Sequence, residues 1–242
     1  QPSQADYFQT VKGGGHGDYR LITLAPSSVQ EMADFVGLGF DLAFKYNNPA
    51  MILADGIIGQ MMEKVVLPPF TPRRTDDEIR KECPWATLGK VGGRKRNVIT
   101  SLELDAAVME ENNLRFQAKY KKIEENEVRF QEIMCDDAEY LLVAFGSSAR
   151  ICQKVVELAR EQGIKLGLLR PITLWPFPTN ILKEYAEKVK GMISVELNAG
   201  QMVEDIRLAV NGRVKVEHFG RLGGIVPDPD EVVEAIKEKL IK

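Results

Sequence analysis

The chain has 242 residues, of which 44% are apolar, and its 32 basic and 35 acidic side chains give a net charge of -3. This length allows one large globular domain or two smaller ones. Because the charges are balanced, nucleic-acid binding is an unfavourable interpretation. No apolar run approaches the roughly 18 residues that a membrane span requires, and the first residues show no signal-peptide pattern.

The three cysteines, Cys83, Cys135 and Cys152, are widely and irregularly spaced. Their spacing fits neither a disulfide framework nor a zinc site nor an iron–sulfur cluster. Neither histidine has the spacing of a metal ligand. We therefore predict a cytoplasmic protein that binds no metal through residues of its own.

The first regular elements predicted along the chain are a strand and a helix. The apolar run 19–25 predicts the strand, and Ser28 with Glu31 three residues later predicts a capping box that starts a helix over 29–46. Helical spacing gives this helix an apolar face, which we expect to pack against a sheet. The face consists of Met32, Val36, Phe40, Ala43 and Phe44.

A second strand is expected after the helix ends at Asn47, beginning near Ala50. Strand, helix and strand form a βαβ unit, so the two strands should be parallel. Parallel sheets are buried on both faces and need more than two strands. We therefore expect the remaining strands to come from an upstream segment or from a partner chain.

The middle of the chain predicts an arm and a long helix. Residues 63–97 contain four prolines among charged residues and have little to bury, which indicates an extended arm or linker. A charged helix is expected from about residue 102 to residue 133. Its narrow apolar stripe suits a helix that packs on its own domain or crosses another subunit. The stripe consists of Met109, Phe116, Tyr120, Ile123 and Phe130.

From residue 138 onward, four apolar strands alternate with four helices, which predicts a compact α/β domain. The strand-to-helix turn FGSSAR at 145–150 could hold an anion at a helix N-terminus, although capping by Ser147 or Ser148 is the simpler interpretation. His218, at the end of a strand, and the glycine-rich loop near Arg221 are expected to be structural.

Three segments are candidates for a site. The loop GGGHGDY at 13–19 combines a permissive backbone with a histidine that titrates near neutral pH and a neighbouring acid. ADGIIGQ at 54–60 follows the second strand, at the end where open α/β sheets bind ligands. The run PITLWPFP at 171–178 would expose aromatic and proline side chains unless another subunit covers it, which predicts an interface, with internal packing as the alternative.

These blocks together resemble the α chain of the 2-oxoacid:ferredoxin oxidoreductases. Residues 13–65 look like the latter part of its first domain. LLRPITLWPFP and VELNAGQMVEDIR look like its second domain, which is similar to the C-terminal domain of transketolases. Among subtypes, the likeness is greatest to the 3-methyl-2-oxobutanoate (2-oxoisovalerate) enzymes, followed by the 2-oxoglutarate enzymes.

The resemblance implies an α/β fold in three parts. These are the remnant of a thiamine-diphosphate-binding, pyrimidine-type parallel-sheet domain at 1–66, an arm and long-helix linker at 67–136, and a transketolase C-terminal-like α/β domain at 137–242. Family members carry a further upstream segment with catalytic groups. The chain is therefore interpreted as a fragment, and no catalytic residue is assigned to it.

The activity implied by the resemblance is the oxidative decarboxylation of a 2-oxoacid, either 2-oxoisovalerate or 2-oxoglutarate, to CO2 and acyl-CoA, with electrons passing to ferredoxin. It implies thiamine diphosphate and Mg²⁺ shared with a β subunit, iron–sulfur clusters on other subunits and coenzyme A as co-substrate. The expected partners in this hetero-oligomer are the β subunit, a γ subunit and a ferredoxin-like subunit or ferredoxin. We expect no activity from the isolated chain, and no binding of nucleic acid or membranes.

The resemblance also suggests site residues. Those predicted at the rim of the cofactor pocket are Gly14, Gly15, His16, Gly17 and Asp18. Those predicted to contact another subunit are Asp55, Gln60, Trp175, Phe177 and Gln201. The alternative hypothesis is a non-catalytic α/β module that binds a nucleotide or flavin through FGSSAR and the loop near Arg221.

Overall fold

The computed structural model describes residues 1–87, 89–90 and 92–242. The strands in these ranges are β1 (Ile22–Leu24), β2 (Ala50–Ile52), β3 (Phe130–Ile133), β4 (Tyr140–Val143), β5 (Leu166–Pro171), β6 (Thr173–Trp175), β7 (Gly191–Glu196) and β8 (Lys215–Gly220). The helices are α1 (Tyr7–Val11), α2 (Val29–Tyr46), α3 (Asp76–Glu82), α4 (Ala106–Asn126), α5 (Gly146–Glu161), α6 (Thr179–Ala186), α7 (Met202–Val210) and α8 (Pro229–Ile236). A 3₁₀ turn occupies Ile58–Gln60, and a π-helical turn, Lys237–Ile241, follows α8.

A five-stranded sheet with the order β3-β5-β4-β7-β8 forms the centre of the molecule. Strands β5, β4, β7 and β8 are parallel, and β3 joins the edge antiparallel to β5. Helices α5 and α8 cover one face with Val155 and Val232, while α6 and α7 cover the other with Leu182 and Ile206. Both faces are buried, as parallel strands require. The alternation of strands and helices predicted after residue 138 is confirmed.

The long charged helix is shorter than predicted, because α4 ends at Asn126 and the chain then forms β3. The next residue, Glu127, is buried and accepts hydrogen bonds from Lys45 and Tyr46 of α2. This contact fixes the chain as it leaves the helix. Of the predicted stripe, Tyr120 and Ile123 are buried on the body of the chain, whereas Phe130 lies in β3.

A second sheet, with the order β2-β1-β6, has three strands. Strand β1 pairs with β2 in parallel and with β6 in antiparallel orientation, with Thr23 opposite Trp175. The sequence predicts a loop at β6 and expects the missing neighbour from upstream or from a partner. On the side of β1 that pairs with β6 this expectation is wrong, because residues 173–175 of the same chain supply the neighbouring strand. In the part of the chain that the structure describes, the outer edge of β2 has no strand partner.

The pairing of β6 also buries much of the run at 171–178. Trp175 is only 7% exposed and packs edge to face on Tyr120 of α4, with ring centroids 5.7 Å apart. Pro171 and Pro176 are buried as well, and Phe177 is partly buried. The burial of Trp175 and the prolines within the chain agrees with internal packing, the alternative to an interface, and a contact of the partly buried Phe177 with another subunit stays a prediction.

Helix α2 has the predicted bounds but buries the opposite face. The side chains of Phe35 and Leu42 and the backbone at Gly39 are buried, whereas Val36 is 50% and Phe40 65% exposed. Both faces of the helix are apolar, so periodicity could not decide which of them meets the sheet. The exposed face also includes Phe44, whose ring stacks on Trp85 of the arm.

The capping box predicted for α2 forms only in part. The Ser28 hydroxyl accepts a hydrogen bond from the Glu31 N–H at 3.1 Å, as predicted. The Glu31 carboxylate instead accepts from the Ser27 N–H at 2.7 Å and pairs with the buried Arg170. This pairing draws the carboxylate away from the N-cap backbone and toward β5.

The described residues of the arm at 63–97 are mostly exposed and irregular, as predicted, although Cys83 is buried. Within it the sequence analysis missed α3, which begins with a complete capping box between Thr75 and Glu78 and buries none of its residues. No helix in the described ranges is long and apolar enough to cross a membrane.

The packing of α4 gives a stability prediction. We expect Ile123→Ala to lower the free energy of unfolding by about 2–5 kcal/mol, because it leaves a cavity where a fully buried side chain was. The matched control, Leu114→Ala, changes a side chain on the same helix that is 64% exposed, and should cost less than about 0.5 kcal/mol. Urea denaturation of both variants measures the difference. Equal effects would contradict the described packing of α4.

Candidate functional site at the carboxyl edge of the sheets

The first residues of the chain lie across the carboxyl edge of the five-stranded sheet, and Gln4 holds them there. Its side-chain N–H donates to the Phe145 carbonyl at 2.8 Å. Its side-chain oxygen accepts from the Ser148 hydroxyl at 2.9 Å and from the Leu197 N–H at 3.0 Å. Asn198 donates to its backbone carbonyl at 2.9 Å. Gln4 therefore joins the ends of β4 and β7.

Asp55, in the turn after β2, occupies the N-terminus of α5. One carboxylate oxygen accepts from the N–H and the hydroxyl of Ser147, and the other accepts from the N–H groups of Ile57 and Ile58. The predicted capping of α5 by Ser147 or Ser148 is therefore wrong, since both hydroxyls donate to distant residues. A bound anion is also disfavoured at this helix end, because a carboxylate of the chain already fills it.

Glu196, at the end of β7, fills the N-terminus of α7 in the same way. Its carboxylate accepts from the N–H groups of Gln201 at 3.1 Å, Met202 at 2.8 Å and Val203 at 3.0 Å. Burial alone would raise the pKa of this carboxyl. Hydrogen bonds from His218 and from the α7 backbone outweigh that effect, so its pKa is lowered from the ordinary value.

His218 of β8 belongs to this cluster. Its Nδ1 lies 2.8 Å from the Ser194 hydroxyl and 3.5 Å from the Glu196 carboxylate. A side chain at Gly220 would bring its Cβ within 2.5 Å of the imidazole and within 2.3 Å of the Asn198 carbonyl, so only glycine fits there. The half-buried histidine acts as a packing and bonding group, in agreement with the structural role predicted for it.

A cleft of about 810 Å³ opens beside this edge, between the end of α1, the last turn of α4 and the start of α6. Trp175, Phe177 and Ile181 give it an apolar wall. Lys12 and Arg20 also line it, but Lys12 is paired with Asp205 and the acidic Glu124 and Glu125 share the lining. These two cations flank the glycine loop at 13–19. The cleft thus lies next to the loop that the sequence predicts at a pocket rim.

The loop itself is exposed, and its glycines take positive φ at 13, 15 and 17. His16 also has a positive φ of 58°, and the Gly14 N–H donates to the Tyr19 hydroxyl at 2.6 Å. Gly15 and Gly17 have open space beside them. The loop is accessible to a ligand or to another chain, and its place at the rim of a cofactor pocket stays a prediction.

The residues predicted at a subunit contact do not come together in one patch. Asp55 is buried at α5, and Gln201 holds the first segment through the Ala5 carbonyl and the Phe8 N–H. Trp175 is buried, Phe177 lines the cleft and Gln60 is exposed. The sequence analysis missed Gln4, Asn198 and the Glu196–His218 pair, because their role depends on contacts between distant segments.

The three cysteines are free and buried, and burial raises the pKa of the Cys135 and Cys152 thiols. Among the described residues, no three His, Cys, Asp or Glu side chains gather in a possible metal site.

The Glu196 carboxylate predicts a pH-dependent contribution to stability. Because its folded-state pKa is lowered, its charge stabilises the fold above the ordinary value of 4.5, and this stabilisation is lost as the pH falls. We expect Glu196→Gln to reduce the free energy of unfolding by about 2 kcal/mol at pH 7, and by less at pH 4. The control is Glu204→Gln, an exposed position on the same helix. Urea denaturation at both pH values measures the effect, and an equal cost at both would contradict it.

Two family models match the chain in succession. The thiamine-diphosphate-binding domain of the pyruvate flavodoxin/ferredoxin oxidoreductases matches residues 1–134, and core domain II of pyruvate:ferredoxin oxidoreductase matches residues 138–232.

Curated relatives agree with these matches. The ketoisovalerate oxidoreductase subunit VorB of Methanothermobacter thermautotrophicus is 48% identical over 98% of this chain and 65% of its own length. The 2-oxoglutarate synthase subunit KorA of Methanothermobacter marburgensis is 32% identical over 97% of this chain and 68% of its own length. The chain thus spans about two thirds of the length of these relatives.

Solved structures share the fold. A 2-oxoglutarate:ferredoxin oxidoreductase from Magnetococcus marinus superposes with a TM-score of 0.79 at 21% identity, over 99% of this chain and 46% of that one. A split-gene transketolase superposes with a TM-score of 0.50 at 12% identity, over 91% of this chain and 57% of that one. The ordered domain matches and the close relatives show that the chain belongs to the 2-oxoacid:ferredoxin oxidoreductase family.

Proposed function

We propose that the chain is part of the α-type subunit of a thiamine-diphosphate-dependent oxidoreductase that acts on a branched 2-oxoacid, 2-oxoisovalerate. The overall reaction converts the 2-oxoacid and coenzyme A into acyl-CoA and CO2, and two electrons pass singly to ferredoxin. The observation that carries this proposal is the 48% identity to a ketoisovalerate oxidoreductase subunit, compared with 32% to a 2-oxoglutarate synthase subunit over a similar span. 2-Oxoglutarate is the second candidate substrate.

The helix N-termini at the carboxyl edge of the five-stranded sheet do not offer a site for the diphosphate of the cofactor. A diphosphate needs cations or free N–H groups, such as those of a helix N-terminus. At the carboxyl edge, Asp55 fills the N-terminus of α5 and Glu196 fills that of α7. We therefore assign the diphosphate and its Mg²⁺ to a separate β subunit, and to this chain a surface that closes the site.

The same division applies to the electron carriers. The buried thiols of this chain are poor candidates for cluster ligands, because a cluster is bound by thiolates from several cysteines that lie close together. The proposal accordingly places iron–sulfur clusters on other subunits or on ferredoxin, and includes a γ subunit in the assembly. The nucleotide- or flavin-binding alternative is not favoured, since FGSSAR is bonded to Gln4 and Asp55.

The choice of substrate gives a direct prediction. The complete subunit is produced with the products of its neighbouring genes, and reduction of a viologen dye is followed with coenzyme A and each of three 2-oxoacids. We expect kcat/KM to be at least about tenfold higher with 2-oxoisovalerate than with 2-oxoglutarate or pyruvate, which corresponds to about 1.4 kcal/mol. A preference for 2-oxoglutarate would overturn the substrate, and no reaction with any 2-oxoacid would overturn the activity.

His16 gives a second prediction in the same assembly. We expect His16→Ala to lower turnover several-fold, because the exposed imidazole lies on the loop predicted at the pocket rim. His16 has a positive φ, so His16→Asn serves as the matched variant, since asparagine tolerates this backbone conformation. Loss of activity in both variants supports a role for the imidazole. Full turnover of His16→Asn with every 2-oxoacid would eliminate that role.

A further inference from the structure

The carboxyl edge of the five-stranded sheet has a topological switch point between β4 and β7. Strand β4 is followed by α5 on one face of the sheet, and β7 is followed by α7 on the other, so the two loops part at this edge. In open α/β sheets a ligand binds in the crevice at such a point. The turn FGSSAR at 145–150, a candidate anion site in the sequence, follows β4. A ligand of this α/β unit is therefore expected here.

A side chain of the same chain occupies this crevice. Gln4 is only 4% exposed. Its carboxamide lies between the two loops, donates to the Phe145 carbonyl and accepts from the Leu197 N–H and the Ser148 hydroxyl. Its backbone N–H donates to the Leu197 carbonyl at 3.1 Å, and its backbone carbonyl accepts from Asn198. Both the side chain and the backbone of this residue are therefore bound as those of a ligand would be.

The bonding partners in the crevice specify a primary carboxamide. The Phe145 carbonyl can only accept and the Leu197 N–H can only donate, so the group between them must offer one donor and one acceptor. A carboxylate has no donor for the carbonyl, and an ammonium group has no acceptor for the N–H. Since both partners are buried, leaving either of them without a hydrogen bond costs free energy. The crevice therefore distinguishes an amide from an acid of the same shape.

Gly146, the first residue of α5, gives the carboxamide its space. A Cβ at this position would lie 3.1 Å from Nε2 of Gln4 and 3.6 Å from the Asp55 carboxylate. A side chain there would also be strained, because Gly146 has a φ of 57°. The cavity that remains beside Gln4 has a volume of about 30 Å³, which is room for one or two water molecules. The crevice thus fits closely around the side chain that fills it.

We propose that the crevice between β4 and β7 is a carboxamide-recognition site whose ligand is Gln4 of the same chain. The α/β unit binds the first segment of the chain at the place where open α/β sheets bind a ligand, and the segment closes the crevice to other molecules. This assignment explains the composition of FGSSAR, in which Gly146 admits the amide, Ser148 binds it and Ser147 binds Asp55. It does not depend on which 2-oxoacid the enzyme uses.

Chemical rescue tests the class of ligand in the complete subunit. Gln4→Ala removes the atoms that correspond to one acetamide molecule and leaves an enclosed gap. We expect amide hydrogen exchange at residues 5–12 to become at least about tenfold faster, because the segment opens more often. Acetamide should fill the gap and restore exchange to within about threefold of the original, with saturation. Acetate, which has the same shape but no donor, should not. Mass spectrometry measures the exchange.

The matched control for the rescue is Gln201→Ala. Gln201 also holds the first segment, since its side chain accepts from the Phe8 N–H at 2.9 Å and donates to the Ala5 carbonyl at 2.8 Å. Because Gln201 is partly exposed, its removal leaves no enclosed gap, and acetamide should not slow exchange in this variant. Absence of rescue in a folded Gln4→Ala subunit, or an equal effect of acetamide on both variants, would overturn the proposal.

Gln4→Glu provides a test that does not require a gap in the structure. A protonated carboxyl group has a donor and an acceptor and can replace the carboxamide, whereas a carboxylate cannot. Asp6 and Asp55 line the adjacent cavity and Glu196 precedes Leu197, so burial and negative neighbours raise the pKa of a carboxyl group at this position.

We therefore compare exchange at residues 5–12 in Gln4→Glu with exchange in the original chain at the same pH. The ratio of the two rates should be at least about ten at about pH 8 and should approach one at about pH 5, as the introduced carboxyl group becomes protonated. A ratio that stays the same between these pH values would contradict a site that recognises a carboxamide.

Discussion

The hydrogen bonds of Gln4 hold together the parts of the molecule on which a site depends. Parallel strands end in N–H and C=O groups that need partners when they are buried. At the ends of β4 and β7 those partners come from one buried side chain near the beginning of the chain. Helix α1 and the glycine loop continue from the segment that Gln4 fixes, and Gln201 and Asp205 hold α1 further along through Phe8 and Tyr7.

The same edge is also where the two sheets meet. Asp55, in the turn after β2 of the three-stranded sheet, accepts a hydrogen bond from the N-terminus of α5. Strand β6, which follows β5 of the five-stranded sheet, pairs with β1. The Asp55 carboxylate and strand β6 therefore connect the two sheets in both directions along the chain. Since Asp55 and Glu196 are bonded to the N-termini of α5 and α7, these two anion sites are filled from within the chain. We propose that the diphosphate of the cofactor takes its cations and N–H groups from another chain.

The elements that the sequence predicted well are those with a strong local pattern. The bounds of α2 and the alternation after residue 138 follow from apolar periodicity and from breakers such as Gly163, which has a positive φ after α5. Within residues 171–178 the strand β6 was missed, because its pairing with β1 joins residues about 150 apart in sequence. The exposed face of α2 was misassigned because both of its faces are apolar.

The site was harder to predict than the fold for the same physical reason. The glycine loop has a composition that can be recognised along the chain. Gln4 and Glu196, in contrast, are single polar residues whose roles appear only when distant segments meet. The family resemblance supplied what composition could not, namely the class of chemistry. It also predicted a transketolase-like fold for the second α/β unit, and the two solved structures that superpose on the chain share its fold.

The central claim is that this chain fills its own anion sites and closes, rather than holds, the cofactor site. Isothermal titration of the complete subunit with thiamine diphosphate and Mg²⁺ tests this claim most directly, once with the subunit alone and once with the β subunit present. The account predicts no measurable heat of binding for the subunit alone and saturable binding for the pair. Tight, magnesium-dependent binding by the α-type subunit alone would contradict it.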